Sequence, residues 1–363
     1  MNFNRKLVLA DGTVFPGNGF GSNEEIIAEL IFYTGMTGYQ EVLTDPSYHN
    51  QMVVMTYPMI GNYGISSDEN VSTKNGASAL IVKEYCEAPS NWRSTKTLEA
   101  FLNERNITGL CDVDTRALTI KLREEGTMKG IIVDYNVSVE DALASLLSSP
   151  TAKNHVNSIA LNESYKIPVK KKKFRVALLS FGAKVEGIVT ELVNRDCEVL
   201  VVPFDASAED LNLLGPDGIV LGSGPGNPAD LVEVIPVIKE ISENYPIFGI
   251  NLGYHLIALA FGATTSKMKF GHHGENIPVK DINTGRTLIT SQNHLFQVDE
   301  SSLNDANLKA THYAINGNTV AGIAHDEKAV FGVQFSPEVH VGPADSAYLF
   351  DQFVNSLGGN GNA

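Results

Sequence analysis

The sequence predicts an α/β protein, with an open, doubly wound, mostly parallel sheet in the C-terminal half and a separate mixed β/α domain before it. From residue 174 onward, continuous apolar runs alternate with amphipathic helical patterns, as in FRVALLSF followed by KVEGIVTELVNR. This alternation is typical of parallel strands covered by helices on both faces. A length of 363 residues also exceeds what one hydrophobic core usually serves, so we expect two domains.

The N-terminal domain is predicted to span residues 1–150, where glycines are dispersed and the β-rich runs are shorter. ELIFYTG and QMVVMTYP predict strands, whereas TLEAFLNERN and DTRALTIKLREEG predict helices. Residues 151–173 are predicted to be a linker, because they contain Pro168 and the four consecutive lysines 170–173. An anion-binding patch is the less common meaning of such a lysine run.

The C-terminal domain is predicted to span residues 174–358, with residues 359–363 as a frayed tail. Three more strand–helix pairs follow the first one: CEVLVVPF with SAEDLNLL, GIVLGSG with DLVEVIPVIKEISEN, and PIFGI with LGYHLIALAFG. Two further strands, TLITSQNHLFQV and AVFGVQFS, precede a closing helix in SAYLFDQFVNSL.

The charge of the chain disfavours two classes of partner. The sequence has 42 acidic and 27 basic residues, and its net charge of -15 repels nucleic acids and anionic membranes. The N-terminal stretch MNFNRKLVLADG turns polar after a few apolar residues, which is too short for a signal peptide core or a membrane span. We therefore expect a cytoplasmic protein.

Neither a disulfide framework nor a metal site is expected. Cys86, Cys111 and Cys197 are widely spaced and form no C-x-x-C pair, which is typical of reduced structural thiols. His272 and His273 are adjacent, and adjacent residues on a strand face opposite sides. We interpret them as loop or surface histidines rather than metal ligands.

A candidate site is predicted where three segments meet at the carboxyl ends of the strands, the edge at which open α/β sheets bind ligands. PIFGINLGYH predicts a sharp strand-to-helix elbow at Asn251. The glycine-rich LGSGPGNP contains Pro225 and Pro228, which lack the amides of a phosphate cradle, so an oxyanion hole is the better interpretation. The third segment, QFSPEV, ends a strand.

The segments GSGPGNP, FGINLGYH and QFSPE resemble, in order and spacing, the three blocks of the class I (triad) glutamine amidotransferases. Longer blocks resemble the small subunit of carbamoyl phosphate synthetase, so that the resemblance covers nearly the whole chain. These blocks are TGMTGYQEVLTDPSYHNQMVVMTYPMIGNYG, VDTRALTIKLREEGTMKG, MKFGHHGENIPV and TSQNHLFQVDE.

The resemblance implies that the catalytic triad is incomplete. In the family, an elbow cysteine attacks the side-chain amide of glutamine, a histidine transfers the proton, and a glutamate orients the histidine. The corresponding residues are Asn251, Ser336 and Glu338. An amide nitrogen is not a nucleophile, and a serine hydroxyl is not a base near neutral pH. We expect a pseudo-glutaminase that has lost its own hydrolytic activity.

The resemblance also implies a partial pocket for glutamine. His255 replaces a glutamine that contacts the substrate in the family, and Leu295 replaces a glycine, which adds bulk. Ser180 replaces an acidic residue that often closes the first strand, while Lys184 is retained. The positions that keep the family's substrate-contacting residue are Ser47, Gly224, Gly226, Leu252, Asn293 and Phe296.

A relocated glutaminase is the disfavoured interpretation. His255 and His340 are candidate bases, but without a nucleophile they have nothing to activate, and we interpret both as ordinary, partly exposed histidines. Cys197 is predicted at the start of a strand, which is the wrong end of the sheet for the site.

The sequence leaves three hypotheses for the function. The leading hypothesis is a small subunit that supports or regulates an ammonia-using large subunit, in a heterodimer serving arginine or pyrimidine biosynthesis. No cofactor is expected in this chain, since it has no Walker A pattern, and the resemblance implies that ATP and Mg²⁺ bind the large subunit. The alternatives are an active glutamine-hydrolysing subunit and a stand-alone amide-binding or sensor module.

Overall fold

The structure is a computed structural model that describes residues 3–150, 153, 155–338 and 345–358. The chain forms two compact units, which we call the barrel unit (Met1–Ala152 with Lys269–Gly274) and the sheet unit (Lys153–Met268 with Glu275–Ala363). The sequence predicted limits at 150 and 174, and it did not predict that residues 269–274 return to the barrel unit. We call this short segment the excursion. None of the helices in the described ranges has the length and hydropathy of a membrane span.

The barrel unit is a closed sheet with helices. Seven strands close in the order β1-β2-β8-β6-β4-β3-β9, and β5 pairs with β7. Closure leaves no exposed strand edge, and side chains such as Leu7, Leu30, Val54 and Ile132 form one core. The strands in the described residues are β1 (Arg5–Leu9), β2 (Val14–Gly21), β3 (Ile26–Tyr33), β4 (Gln51–Met55), β5 (Met59–Ile60), β6 (Ala79–Ile81), β7 (Glu84–Tyr85), β8 (Thr108–Cys111) and β9 (Lys129–Asp134).

Side chains cap the first turns of two barrel-unit helices that the sequence predicts. The side chains of Thr97 and Asp114 accept hydrogen bonds from the N–H groups of Ala100 and Ala117, which satisfies backbone donors in the first turns of α2 and α3. Both helices were expected from the sequence, and their presence is confirmed. The helices are α1 (Tyr39–Thr44), α2 (Leu98–Glu104), α3 (Thr115–Glu125) and α4 (Val139–Ser148).

The excursion at 269–274 packs within the barrel unit. The N–H of Thr34 donates to the carbonyl of His273 at 3.0 Å, and the rings of Phe32 and Phe270 lie 5.6 Å apart. His272 and His273 are buried in this strand, so the expectation of loop or surface histidines is wrong. Within the described ranges, the side chains form no cluster of three or more His, Cys, Asp or Glu suited to a metal ion.

The sheet unit contains a ten-stranded sheet, in the order β10-β12-β11-β13-β14-β19-β18-β17-β15-β16. Its elements in the described residues are α5 (His155–Ile159), β10 (Tyr165–Ile167), β11 (Phe174–Ser180), α6 (Val185–Val193), β12 (Cys197–Pro203), α7 (Ala208–Leu214), β13 (Gly218–Leu221), α8 (Val234–Ile241), β14 (Ile247–Ile250), α9 (Leu252–Ala260), β15 (Thr265–Asp281), β16 (Thr287–Val298), β17 (Leu308–Ala314), β18 (Val320–His325), β19 (Val330–Val333) and α10 (Tyr348–Leu357).

The five strands β12, β11, β13, β14 and β19 are parallel. Along β11, Ala177 and Leu179 pack in a core with α7, α8 and α9, whereas Val176 and Leu178 pack in a second core with α6 and α10. Helices therefore cover both faces, and the predicted doubly wound α/β class is confirmed. The strands β18, β17 and β15 extend the sheet in antiparallel fashion, and the predicted linker contributes α5 and β10.

Candidate functional site

The predicted elbow is present between β14 and α9. Asn251 has φ 53° and ψ -105°, a backbone conformation that residues other than glycine rarely adopt. It is typical of a strained strand-to-helix turn. Its N–H donates to the carbonyl of Val333 at 2.8 Å, and the N–H of Gly253 donates to the carbonyl of Gly222 at 3.2 Å. The ends of the neighbouring strands thus hold the elbow on both sides.

Close packing explains the glycine that follows the elbow. A Cβ atom added to Gly253 would lie 2.2 Å from the carbonyl oxygen of Leu221, so only glycine lets α9 approach β13 this closely. The loop after β13 is held in the same way. A Cβ atom added to Gly224 would lie 2.6 Å from the Cβ of Phe181 and 2.8 Å from the Cδ2 of Leu252. The glycine-rich loop therefore packs against the first residue of the elbow helix.

β16 connects the elbow to the third segment. The side-chain Nδ2 of Asn251 donates to the carbonyl of Asn293 at 3.2 Å, and the N–H of Ser336 donates to the carbonyl of Ser291 at 3.0 Å. Asn293 and Ser291 are two residues apart on one strand. The structure thus brings the elbow and the third segment, QFSPEV, to the same stretch of β16, which confirms the predicted convergence.

The predicted base position, Ser336, holds a hydroxyl that accepts from an ammonium, beside a buried ion pair. The ammonium Nζ of Lys184 donates to the Oγ of Ser336 at 2.7 Å and lies 3.9 Å from the Oε1 of Glu338. The Glu338 side chain is 1% exposed and that of Lys184 14% exposed, so the carboxylate and the ammonium compensate each other away from water. A serine oxygen that accepts from an ammonium has no capacity to take up a substrate proton.

His255 lies in the first turn of α9 and is buried, so the expectation of a partly exposed histidine is wrong. Burial lowers the pKa of His255 to about 3, and the side chain of Gln334 opposes this shift only partly. The imidazole is therefore neutral and very weakly basic at pH 7, which is unsuited to general-base catalysis. His340, the other histidine considered as a base, lies outside the described residues.

The remaining predicted positions fall into two groups. Leu252 and Leu295 are buried and Phe296 is half-buried, all in the sheet unit, whereas Ser47 belongs to the barrel unit, where its N–H donates to the Oδ1 of Asp45 at 2.9 Å. Gly226 has φ 94°, a left-handed conformation that favours glycine. The substrate roles of these residues stay predictions.

Two further positions have structural explanations. Ser180 is buried, and its Oγ accepts from the N–H of Gly182 at 3.3 Å. Cys197 is the first residue of β12, as predicted, at the end of the strand away from the site. Burial raises the pKa of the Cys197 thiol to about 11, so this cysteine is a poor nucleophile at neutral pH.

Two contacts at the site were not expected from the sequence. Lys184 contacts Ser336, and the buried Gln334 lies beside His255. A signal for the second contact exists, because Gln334 directly follows β19 and stands two residues before Ser336 in the same block.

The depressed pKa of His255 predicts a pH-dependent stability. Below pH 6.5 the unfolded chain binds a proton at this residue that the folded chain excludes, so stability falls as the pH drops from about 6.5 toward about 3. Between pH 7.5 and pH 5.0, the wild-type protein should lose about 2 kcal/mol more unfolding free energy than His255→Gln does. Hydrogen exchange of α9 peptides at the two pH values measures this difference. Equal losses in both proteins would contradict the buried, neutral state.

Relatives of this chain cover nearly its whole length. Residues 7–132 match the family described as carbamoyl-phosphate synthase small chain, CPSase domain, and residues 177–356 match glutamine amidotransferase class-I. A carbamoyl phosphate synthase small chain of Fusobacterium nucleatum is 47% identical over 99% of each chain. A pyrimidine-specific small chain of Halalkalibacterium halodurans is 46% identical over 98% of each chain.

A carbamoyl phosphate synthase small chain of Oceanobacillus iheyensis is 48% identical, over 97% of this chain and 96% of the relative. These identities extend through both the barrel unit and the sheet unit, because each alignment spans nearly the full sequence. The chain therefore belongs to the carbamoyl phosphate synthase small-chain family.

Proposed function

We propose that this small chain does not hydrolyse glutamine and that it supports or regulates a large subunit that uses free ammonia. The observation that carries the proposal is the pair of side chains at the nucleophile and base positions. The elbow presents the carboxamide of Asn251, and the Oγ of Ser336 accepts from the Lys184 ammonium at 2.7 Å. Neither group can form a thioester or move a proton to the leaving ammonia.

The expected loss of activity is large. Removing one member of a catalytic triad can lower turnover by about 10⁶-fold, and the effects of residues that act together do not add. The glycine-rich loop contacts the elbow helix at Leu252, and backbone amides in this loop are the remaining groups that we propose could stabilise a transition state. That contribution alone leaves an activity below what a biosynthetic enzyme needs.

The proposed partner is a large subunit of carbamoyl phosphate synthetase. The relatives are named small chains, and they match this chain through both of its units. ATP and Mg²⁺ are proposed to bind that large subunit rather than this chain. The small chain would then contribute stability or regulation to the complex, and not the nitrogen donor.

The test compares two nitrogen sources in the complex of this chain with its large subunit. We expect carbamoyl phosphate from ammonium, none above background from glutamine, and no glutamate release. Asn251→Ala is the matched control, because it leaves the background unchanged if the wild-type site is inactive. Release of glutamate in step with carbamoyl phosphate would establish the alternative of an active glutaminase. Glutamine binding without association with a large subunit would favour a stand-alone sensor.

A further inference from the structure

We infer that the carboxamide of Asn251 closes the remnant glutamine pocket from within and acts as a built-in competitor of the substrate. The inference rests on the proposed function, since it treats the site as one that no longer hydrolyses glutamine. It goes beyond that function because it assigns to the replaced nucleophile a role in excluding a ligand.

The contact between the elbow and β16 carries this inference. The Nδ2 of Asn251 donates to the carbonyl of Asn293 at 3.2 Å, and both residues are buried, with exposures of 5% and 6%. A primary carboxamide is also the functional group of the glutamine side chain. The chain therefore supplies its own amide donor to a predicted substrate-contacting residue.

The backbone fixes the point from which this side chain extends. Asn251 is fixed at φ 53° and ψ -105° by the hydrogen bond of its N–H to Val333, so its Cβ direction is set by the ends of β14 and β19. A ligand that needs the Asn293 carbonyl must first displace a buried amide. That displacement leaves a donor without a partner, which is unfavourable in a site that excludes water.

The bulk of the Leu295 side chain is a second obstacle to glutamine, and the test has to separate it from the effect of the Asn251 carboxamide. Leu295 is buried two residues after Asn293 on the same strand, where the family has a glycine. A large side chain there could exclude glutamine by itself. The decisive comparison is therefore made in a Leu295→Gly background, in which that obstacle is removed.

The experiment measures the binding of L-glutamine to the full chain by isothermal titration calorimetry. Four proteins are compared: wild type, Asn251→Gly, Leu295→Gly and the double variant. Glycine tolerates the elbow conformation, because it adopts positive φ at no steric penalty. Circular dichroism verifies that each variant folds. D-glutamine is the control ligand, and Asn244→Gly is the control variant, at an exposed asparagine of the same unit.

We expect the double variant to bind L-glutamine about tenfold more tightly than Leu295→Gly, the change that one net hydrogen bond produces. Asn251→Asp in the same background keeps the volume of the side chain but removes its hydrogen-bond donor, so the dissociation constant of L-glutamine should also change. A gain of at least about fivefold from Asn251→Gly supports the inference. A smaller gain, or no binding by either protein, overturns it. The proposed function is judged separately by glutamate release, which none of these binding results decides.

Discussion

Asn251→Cys combined with Ser336→His is expected to return measurable but weak glutamine hydrolysis. The elbow backbone is already in place, held by the bond from the Asn251 N–H to Val333, so a cysteine there would sit at the N-terminus of α9. A histidine at 336 would have Glu338 two residues away to orient it. Glutamate release by the complex with its large subunit measures the gain.

Two further changes should raise this activity by about 100-fold. His255→Gln and Leu295→Gly introduce, at two buried positions, the residues that the resemblance to the family implies there. The single variants Asn251→Cys and Ser336→His are the controls, and each should remain inactive because the two groups act as a unit. Full activity in the two-residue variant would show that His255 and Leu295 do not disturb the pocket.

Lys184→Met is expected to destabilise the sheet unit by about 3 kcal/mol, since it leaves the carboxylate of Glu338 buried without its neighbouring ammonium. Hydrogen exchange of peptides from α6 and β19 measures the loss. Adding Glu338→Gln should restore most of the stability, because a neutral amide does not need a counter-charge.

A matched substitution at the surface separates this effect from a general effect of losing charge. Lys172 pairs with Glu198 at 3.0 Å, but its side chain is 43% exposed. Lys172→Met should therefore change stability little, because the ammonium is exposed and Arg175 and Lys166 also pair with Glu198. If the two lysine variants were equally stable, the buried pair at Lys184 and Glu338 would not carry the compensation assigned to it.

The sheet unit could be predicted from the sequence because its signals are local. Each parallel strand is a continuous apolar run followed by a helical pattern, so periodicity alone identifies β11 to β14 and their helices. The elbow at Asn251 was predictable for the same reason, since the strand, the turn and the helix are consecutive. The convergence with LGSGPGNP and QFSPEV followed from the rule that parallel strands end at one edge.

The barrel unit could not be predicted in the same detail, because its closure depends on distant pairings. β1 pairs with β9, and β2 pairs with β8, across most of the domain. Apolar patterns identify strands but do not say which partner each one finds. The excursion at 269–274 is a similar case, since only a contact such as that between Thr34 and His273 assigns it to the barrel unit.

At the site, residue types were predictable but their partners were not. The sequence shows a serine at the predicted base position, Ser336, whereas the contact of Lys184 with its hydroxyl depends on how the chain packs around α6 and β19. The burial of His255 was missed because it follows from the covering of α9 on all sides, which a single helical segment does not reveal.

The strained backbone at residue 251 has a consequence for how enzymes are recognised by shape. Its conformation is imposed by hydrogen bonds to neighbouring strands and by close packing at Gly253, so it does not depend on which side chain residue 251 carries. A survey that ranks amidases by main-chain superposition will therefore score this chain in the same way whether or not it hydrolyses glutamine. Main-chain shape at this elbow does not report activity, which depends on the atoms of the side chains that the main chain presents.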